Sequence, residues 1–194
     1  MVKLNRIYTR TGDDGTSGLV DGTRRAKHDA RFEAIGAVDE ANCALGMLAV
    51  ALAGNPHADF VIRAQNDLFD LGADLATPLG ALGGTDFAPS DMVLRIVASQ
   101  VAAIESAIDG LNETLAPLTS FILPGGSEAA ARAHVARASV RRAERAMVAL
   151  LAAEPVNPAA LEYINRLSDW LFVLSRAINA DAGGDVLWKP GANR

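Results

Sequence analysis

Residues 157–178 read NPAALEYINRLSDWLFVLSRAI. Their apolar positions, Ala160, Ile164, Leu167, Leu171, Leu174 and Ile178, alternate in steps of four and three. That period keeps one stripe turned toward a partner helix at a shallow crossing angle. Asn157 suits the N-cap and Pro158 the first turn, so the start of the helix is marked as well. The same pattern recurs four times upstream. Ile35, Val38, Leu45 and Leu52 fall in a helix over about 29–52, and Val61, Ala64, Leu68, Leu71 and Leu75 in one over about 57–76. Leu94, Val97, Val101, Ile104, Ile108 and Leu111 predict a helix over about 90–115, and Val140, Ala143, Met147 and Leu150 one over about 127–153. Breaks rich in Gly and Pro separate them, at 77–89, 117–127 and 154–158. Five such helices predict an all-α, five-helix up-and-down bundle.

The chain has 194 residues, which suits one domain: an arm over 1–28, a bundle over 29–182 and a tail over 183–194. Half the residues are hydrophobic but only 5 % are aromatic, so Ala and Leu fill the core, which favours close-packed helices over a sandwich. The net charge of −5 argues against a nucleic-acid partner. The single cysteine, Cys43, cannot form an intramolecular disulfide and reads as a small core residue. The first residues lack the apolar stretch of a signal peptide, and no apolar run approaches membrane-spanning length. These features predict a cytoplasmic protein with no membrane partner. His28, His57 and His134 make no metal-ligand spacing, and none completes a Glu-x-x-His pair of the di-iron kind.

Three groups of residues do not fit a plain bundle. The arm reads TRTGDDGTSG over 9–18. Its glycines allow successive N–H groups to converge on an anion, its hydroxyls add donors, and Arg10 and Lys27 add charge. It is not a Walker A loop, because no Gly-Lys-Ser/Thr follows at the required spacing, and a soluble, unstructured N-terminus would have the same composition. The fourth helix carries Arg132, Arg137, Arg141, Arg142 and Arg145, with Glu144 the only acid among them. Arg137, Arg141 and Glu144 share a face, as do Arg141 and Arg145. Guanidinium groups fork onto phosphate oxygens, and their mutual repulsion calls for an anion; a solvated basic face is the alternative. Asn165, Arg166, Ser168 and Asp169 interrupt the apolar stripe of helix five, and Asp39, Glu40 and Asn42 that of helix one; such groups need hydrogen-bond partners or a ligand.

Six stretches in order, YTRTGDDGTSG, RRAKHDARFEAIGAVDEAN, FILPGGS, ARASVRRAER, YINRLSDWLF and VLWKPG, resemble the PduO-type ATP:cob(I)alamin adenosyltransferases. They cover nearly the whole chain; 77–89 is the stretch least like the family. The resemblance implies a ferritin-like bundle assembled as a homotrimer with active sites between subunits. It implies that Thr9, Arg10, Thr11, Gly12, Asp13, Gly15, Thr16, Ser17, Gly18 and Lys27 wrap the triphosphate of ATP. Arg141, Arg142, Glu144, Arg145 and Asn165 would complete the nucleotide site. Arg137, Arg141 and Phe121 would carry catalysis, Phe121 standing against the lower face of the corrin ring. Asp39 and Arg137 would form an ion pair across subunits. Magnesium would bridge the phosphates, with potassium as a further cation, and cobalamin would be the second substrate. A cobalamin reductase and an adenosylcobalamin-dependent mutase or dehydratase would be partners.

The residues suit that chemistry. Cobalt(I) is itself a strong nucleophile, so attack on the ribose 5′ carbon needs no general base, and the sequence offers no obvious one. Triphosphate leaves, and arginines, Lys27 and backbone N–H groups can stabilise its growing charge. Two other readings remain: a bundle that binds or delivers a nucleotide or corrinoid without turnover, and an ATP-using kinase or hydrolase.

Overall fold

Apolar spacing and caps set the elements of the computed structural model, which describes residues 7–194. A short antiparallel hairpin, β1 (Thr16–Gly18) and β2 (Arg24–Ala26), precedes five helices. These are α1 (Ala30–Ala51), α2 (Ala58–Leu75), α3 (Ala98–Asn112), α4 (Glu128–Leu151) and α5 (Pro158–Ala180). The five expected helices are present, and the hairpin is an addition the sequence pattern did not announce. Asp29 caps α1, Ser127 caps α4 and Asn157 caps α5, each accepting a backbone N–H two or three residues on.

The α1–α4 and α4–α5 seams are the most extensive, with α2 on α1 and α3 on α5. The predicted stripes of α2, α4 and α5 are buried throughout. The α1–α4 pair has a second signature. Ala34, Ala37, Ala41 and Ala44 on α1 and Ala130, Ala133, Ala136 and Ala143 on α4 are all buried in the common core. Small side chains at three- and four-residue spacing let two helices approach closely. Cys43 falls off this seam and is exposed, which corrects its assignment to the core: it lies between Asn42 and Ala44, on the other side of the turn.

Mean composition makes α1 long and apolar enough to span a membrane, counter to the reading of the sequence. Its polar residues Arg31, Glu33, Asp39 and Glu40 and its buried alanine face mark it instead as a core helix.

Helix three is shorter than its apolar stripe. It starts at Ala98, and Leu94 is exposed. Side chains from elsewhere hold residues 95–96 outside the helix. Asp74, at the end of α2, accepts from Arg95 at 2.7 Å, from the Ile96 backbone N–H at 2.9 Å and from Asn157 Nδ2 at 2.6 Å. Arg95 also donates to the carbonyls of Asp74 and Thr77, and Asn157 to that of Ile96. All three side chains are buried, and although Arg95 Nε has no partner, the cluster ties α2, the α3 entry and the α5 cap together. Asp74→Ala should therefore destabilise the fold by about 3–5 kcal/mol, because Arg95 is left as an unpaired buried charge. Urea unfolding measures this; a loss below about 1 kcal/mol would show that the pair is dispensable.

Candidate active site

The arm buries Leu19, and side-chain hydrogen bonds organise the loop before it. Asp14 accepts from the Thr16 backbone N–H at 2.9 Å and from its hydroxyl at 2.7 Å, an Asx turn that starts β1. Arg24, across the hairpin, donates to the Thr11 carbonyl at 2.5 Å and to Thr16 Oγ1 at 2.6 Å. Lys27 donates its backbone N–H to the Gly15 carbonyl at 2.9 Å, which closes the loop Gly12–Gly15 over the lysine. A Cβ on Gly12 would lie 3.2 Å from Lys27 Nζ and 3.2 Å from the Thr16 carbonyl, a tight fit that glycine relieves. Gly15 has φ +81°, which turns the chain into β1. Thr9, Arg10, Thr11, Asp13 and Lys27 are exposed and surround this small loop, while Ser17 and Thr16 are half-buried in the hairpin.

On α4 the arginines separate into two kinds. Arg132 pairs with Glu128 at 2.7 Å, and Arg142 pairs with Glu33 at 3.1 Å and with Glu40, both on α1. Arg137, Arg141 and Arg145 have no carboxylate partner among the described residues; Arg145 donates only to the Arg141 carbonyl, at 3.0 Å. Burial, and then the charge of Arg141, loosens the proton of Arg137, whose Nε is buried without a hydrogen bond. Two guanidiniums one turn apart without a counter-ion form a ready anion site. Glu144 accepts from Asn165 Nδ2 at 2.8 Å, and Asn165 Oδ1 accepts from Arg166 at 2.7 Å. Arg166 in turn pairs with Glu105 at 2.9 Å. The polar interruption of α5 is thus a hydrogen-bonded line leading to α4.

Phe121 stands apart from the core, 77 % exposed. Its ring meets the edge of Trp188 with centroids 5.9 Å apart. The tail supports it: Trp188 N–H donates to the Phe121 carbonyl at 2.8 Å and Leu123 N–H to the Val186 carbonyl at 2.7 Å. Phe121 and Trp188 line a cavity of about 620 Å³ with Arg137, His134, Phe172 and Pro190. His134 is buried with both ring nitrogens unpartnered, and burial, then Arg137, pushes its pKa below the ordinary histidine value. The turn beneath is latched by Asn179, which accepts from the Ser127 N–H and donates to the Gly125 carbonyl. Gly126 has φ +101°, and a Cβ there would lie 2.2 Å from Asn179 Oδ1, so glycine is required at this position.

One chain therefore brings Arg137 and Phe121 to one cavity, and Glu144 to Asn165. It does not join Asp39 to Arg137: Asp39 is exposed and lines a separate groove between α1 and α2 with Phe32, Ile35, Phe69 and Ala73. Arg24, Asn179 and Trp188 escaped the sequence reading. Arg24 and Trp188 lie within the family-like stretches RRAKHDARFEAIGAVDEAN and VLWKPG, which did not single them out.

A family model described as cobalamin adenosyltransferase matches residues 7–178. A corrinoid adenosyltransferase of Mycobacterium tuberculosis is 50 % identical over 198 aligned residues, which cover 100 % of this chain and 97 % of that protein. A variant PduO-type ATP:co(I)rrinoid adenosyltransferase from Lactobacillus reuteri, complexed with ATP, superimposes with a TM-score of 0.83 at 33 % identity, over 94 % of this chain and 100 % of that one. A second Lactobacillus reuteri variant, complexed with cobalamin and ATP, gives 0.82 at 33 % identity, over 95 % and 99 %.

Proposed function

The chain belongs to the cobalamin adenosyltransferase family, and from that premise we propose the chemistry of its site. The chain transfers the 5′-deoxyadenosyl group of ATP to the cobalt(I) of a corrinoid, giving adenosylcobalamin and triphosphate. The observation that carries the reading is the set of arginines on α4 without carboxylate partners among the described residues, Arg137, Arg141 and Arg145, in an acidic chain. The cobalt electron pair attacks the ribose 5′ carbon, the C5′–O bond breaks, and the triphosphate leaves with the bonding pair. Cobalt(I) becomes an alkylated cobalt(III). Charge grows on the leaving oxygens, where Arg141, its neighbours and Lys27 stabilise it most. Thr9 to Gly18 and Lys27 cradle the phosphates, and Glu144 with Asn165 holds the helical side of the nucleotide. Phe121 stands below the corrin ring in the cavity it shares with Trp188.

Among the described residues no group of three or more His, Cys, Asp or Glu could hold a metal. Magnesium therefore enters as MgATP, held through the phosphates with the exposed Asp13 within the arm, and potassium is a further counter-ion. Three copies assemble with sites between subunits, supported by the exposed Phe69 beside Asp39 and by the lack of an Asp39–Arg137 pair within one chain. Equilibrium sedimentation reads this directly, and a monomer at working concentration would remove the cross-subunit site. A cobalamin reductase supplies cobalt(I), and an adenosylcobalamin-dependent mutase or dehydratase takes the product.

Phosphorus NMR of the products decides the reaction. Intact triphosphate should appear in step with alkylated corrinoid. ADP or pyrophosphate would mark a kinase or a hydrolase instead, and tight binding of both substrates without any product would mark a carrier.

A further inference from the structure

One carboxylate joins the arm to the bundle. Glu154 stands in the turn between α4 and α5. Its Oε1 accepts from Arg25 at 2.6 Å, and its Oε2 lies 3.3 Å from the other Arg25 terminal nitrogen and 2.8 Å from Arg31. Arg25 is the middle residue of β2, paired in register with Ser17. Arg31 opens α1, is 2 % exposed, and donates to the Leu75 carbonyl at the end of α2 at 2.6 Å. Asp29, the cap of α1, adds a longer contact of 3.7 Å to Arg25. The hairpin tip is tied to the same end of the bundle through the Val20 N–H and the Ala76 carbonyl, at 3.1 Å.

The lever is short. Lys27 lies two residues after Arg25, its N–H is bonded to Gly15, and its amine sits against Gly12. Any change in where Arg25 docks moves the loop that the lysine closes. A forked arginine–carboxylate contact fixes orientation as well as distance, which a single-point charge pair does not.

We infer that Arg25 and Glu154 are positioning residues for the nucleotide: the Arg25–Glu154–Arg31 clamp sets where the phosphate-binding arm sits on its bundle. The inference rests on the proposed reading of the arm as the triphosphate cradle. The clamp is charged under working conditions. Burial would raise the Glu154 carboxyl, but Arg31 and then Arg25 outweigh it and hold the group at about 2. A carboxyl held below its ordinary value of 4.5 contributes fully above that pH, and the contribution is lost as the pH falls toward 2.

Arg25→Leu tests the clamp. It cuts the arm's side of the contact and leaves Glu154 paired with the buried Arg31, so the bundle keeps its charges neutralised. The KM for ATP should rise about tenfold, as expected for one lost charged hydrogen-bond pair, with kcat at saturating ATP and the KM for the corrinoid little changed. Arg25→Lys should recover part of the loss. Hydrogen exchange at the Val20 and Lys27 amides should quicken in Arg25→Leu. Lys27→Ala is the companion variant. If it raises the KM for ATP and Arg25→Leu does not, the clamp is overturned and the arm reading stands. If neither raises it, the arm is not the cradle and both fail. Equal losses for both substrates with a lowered melting temperature would make the contact structural and overturn the positioning role.

Discussion

Arg141→Ala should turn over about a hundredfold more slowly than the parent chain at saturating ATP. The reasoning starts from neutralisation. Arg132 and Arg142 already have carboxylates, and Arg141 has none among the described residues. Burial, and then the charge of Arg141 one turn away, loosens the proton of Arg137, and two adjacent guanidiniums without a carboxylate favour an anion. A guanidinium that meets the leaving triphosphate gains most where the oxygen charge grows, and losing one such donor costs about 3 kcal/mol of transition-state stabilisation. Arg141 is exposed, so its loss should leave the fold intact. The check is steady-state turnover with chemically prepared cobalt(I), alongside thermal unfolding. Near-parental turnover would take Arg141 out of the mechanism.

Phe121→Ala should separate two steps that a coupled assay merges. When Phe121 is read as a plug at the bundle end, its removal should cost several kcal/mol. The structure places the ring 77 % exposed, against the edge of Trp188. Losing that aromatic pair should cost about 1 kcal/mol, so the variant should fold. What it should lose is the apolar wedge that keeps a lower ligand off cobalt(II) and so makes reduction easier. The variant should fail with cobalt(II) and a reductant, yet work far better on preformed cobalt(I). Electron paramagnetic resonance of cobalt(II)alamin with MgATP should show a four-coordinate signal for the parent and little or none for Phe121→Ala. An equal four-coordinate fraction in both would reduce Phe121 to surface packing.

The predicted helices were legible because each depends on residues three or four apart. The exception is instructive. The stripe from Leu94 to Leu111 runs through residues 94–97 without a break, yet α3 begins only at Ala98. Asp74 and Asn157, distant in sequence, hold Ile96 through both its N–H and its carbonyl, and those bonds outweigh the local helical preference. The arm shows the same limit. Its glycines and hydroxyls suggested a phosphate loop, but nothing in their spacing indicated that Arg24 would bind Thr11 and Thr16 from the opposite strand.

The sequence alone determined the five apolar stripes, the Asn157–Pro158 start, the crowding of arginines on α4 and the order of six family-like stretches. All of these are properties of neighbours along the chain or of composition. The tertiary structure decided which arginines are neutralised, that Cys43 faces outward, that the tail props Phe121, and that Glu154 clamps the arm. Charge and burial depend on what lies across a seam: Arg142 meets Glu33 over a separation of 109 residues, and Arg25 meets Glu154 over 129. No local period encodes such a meeting, because it exists only once the helices have packed.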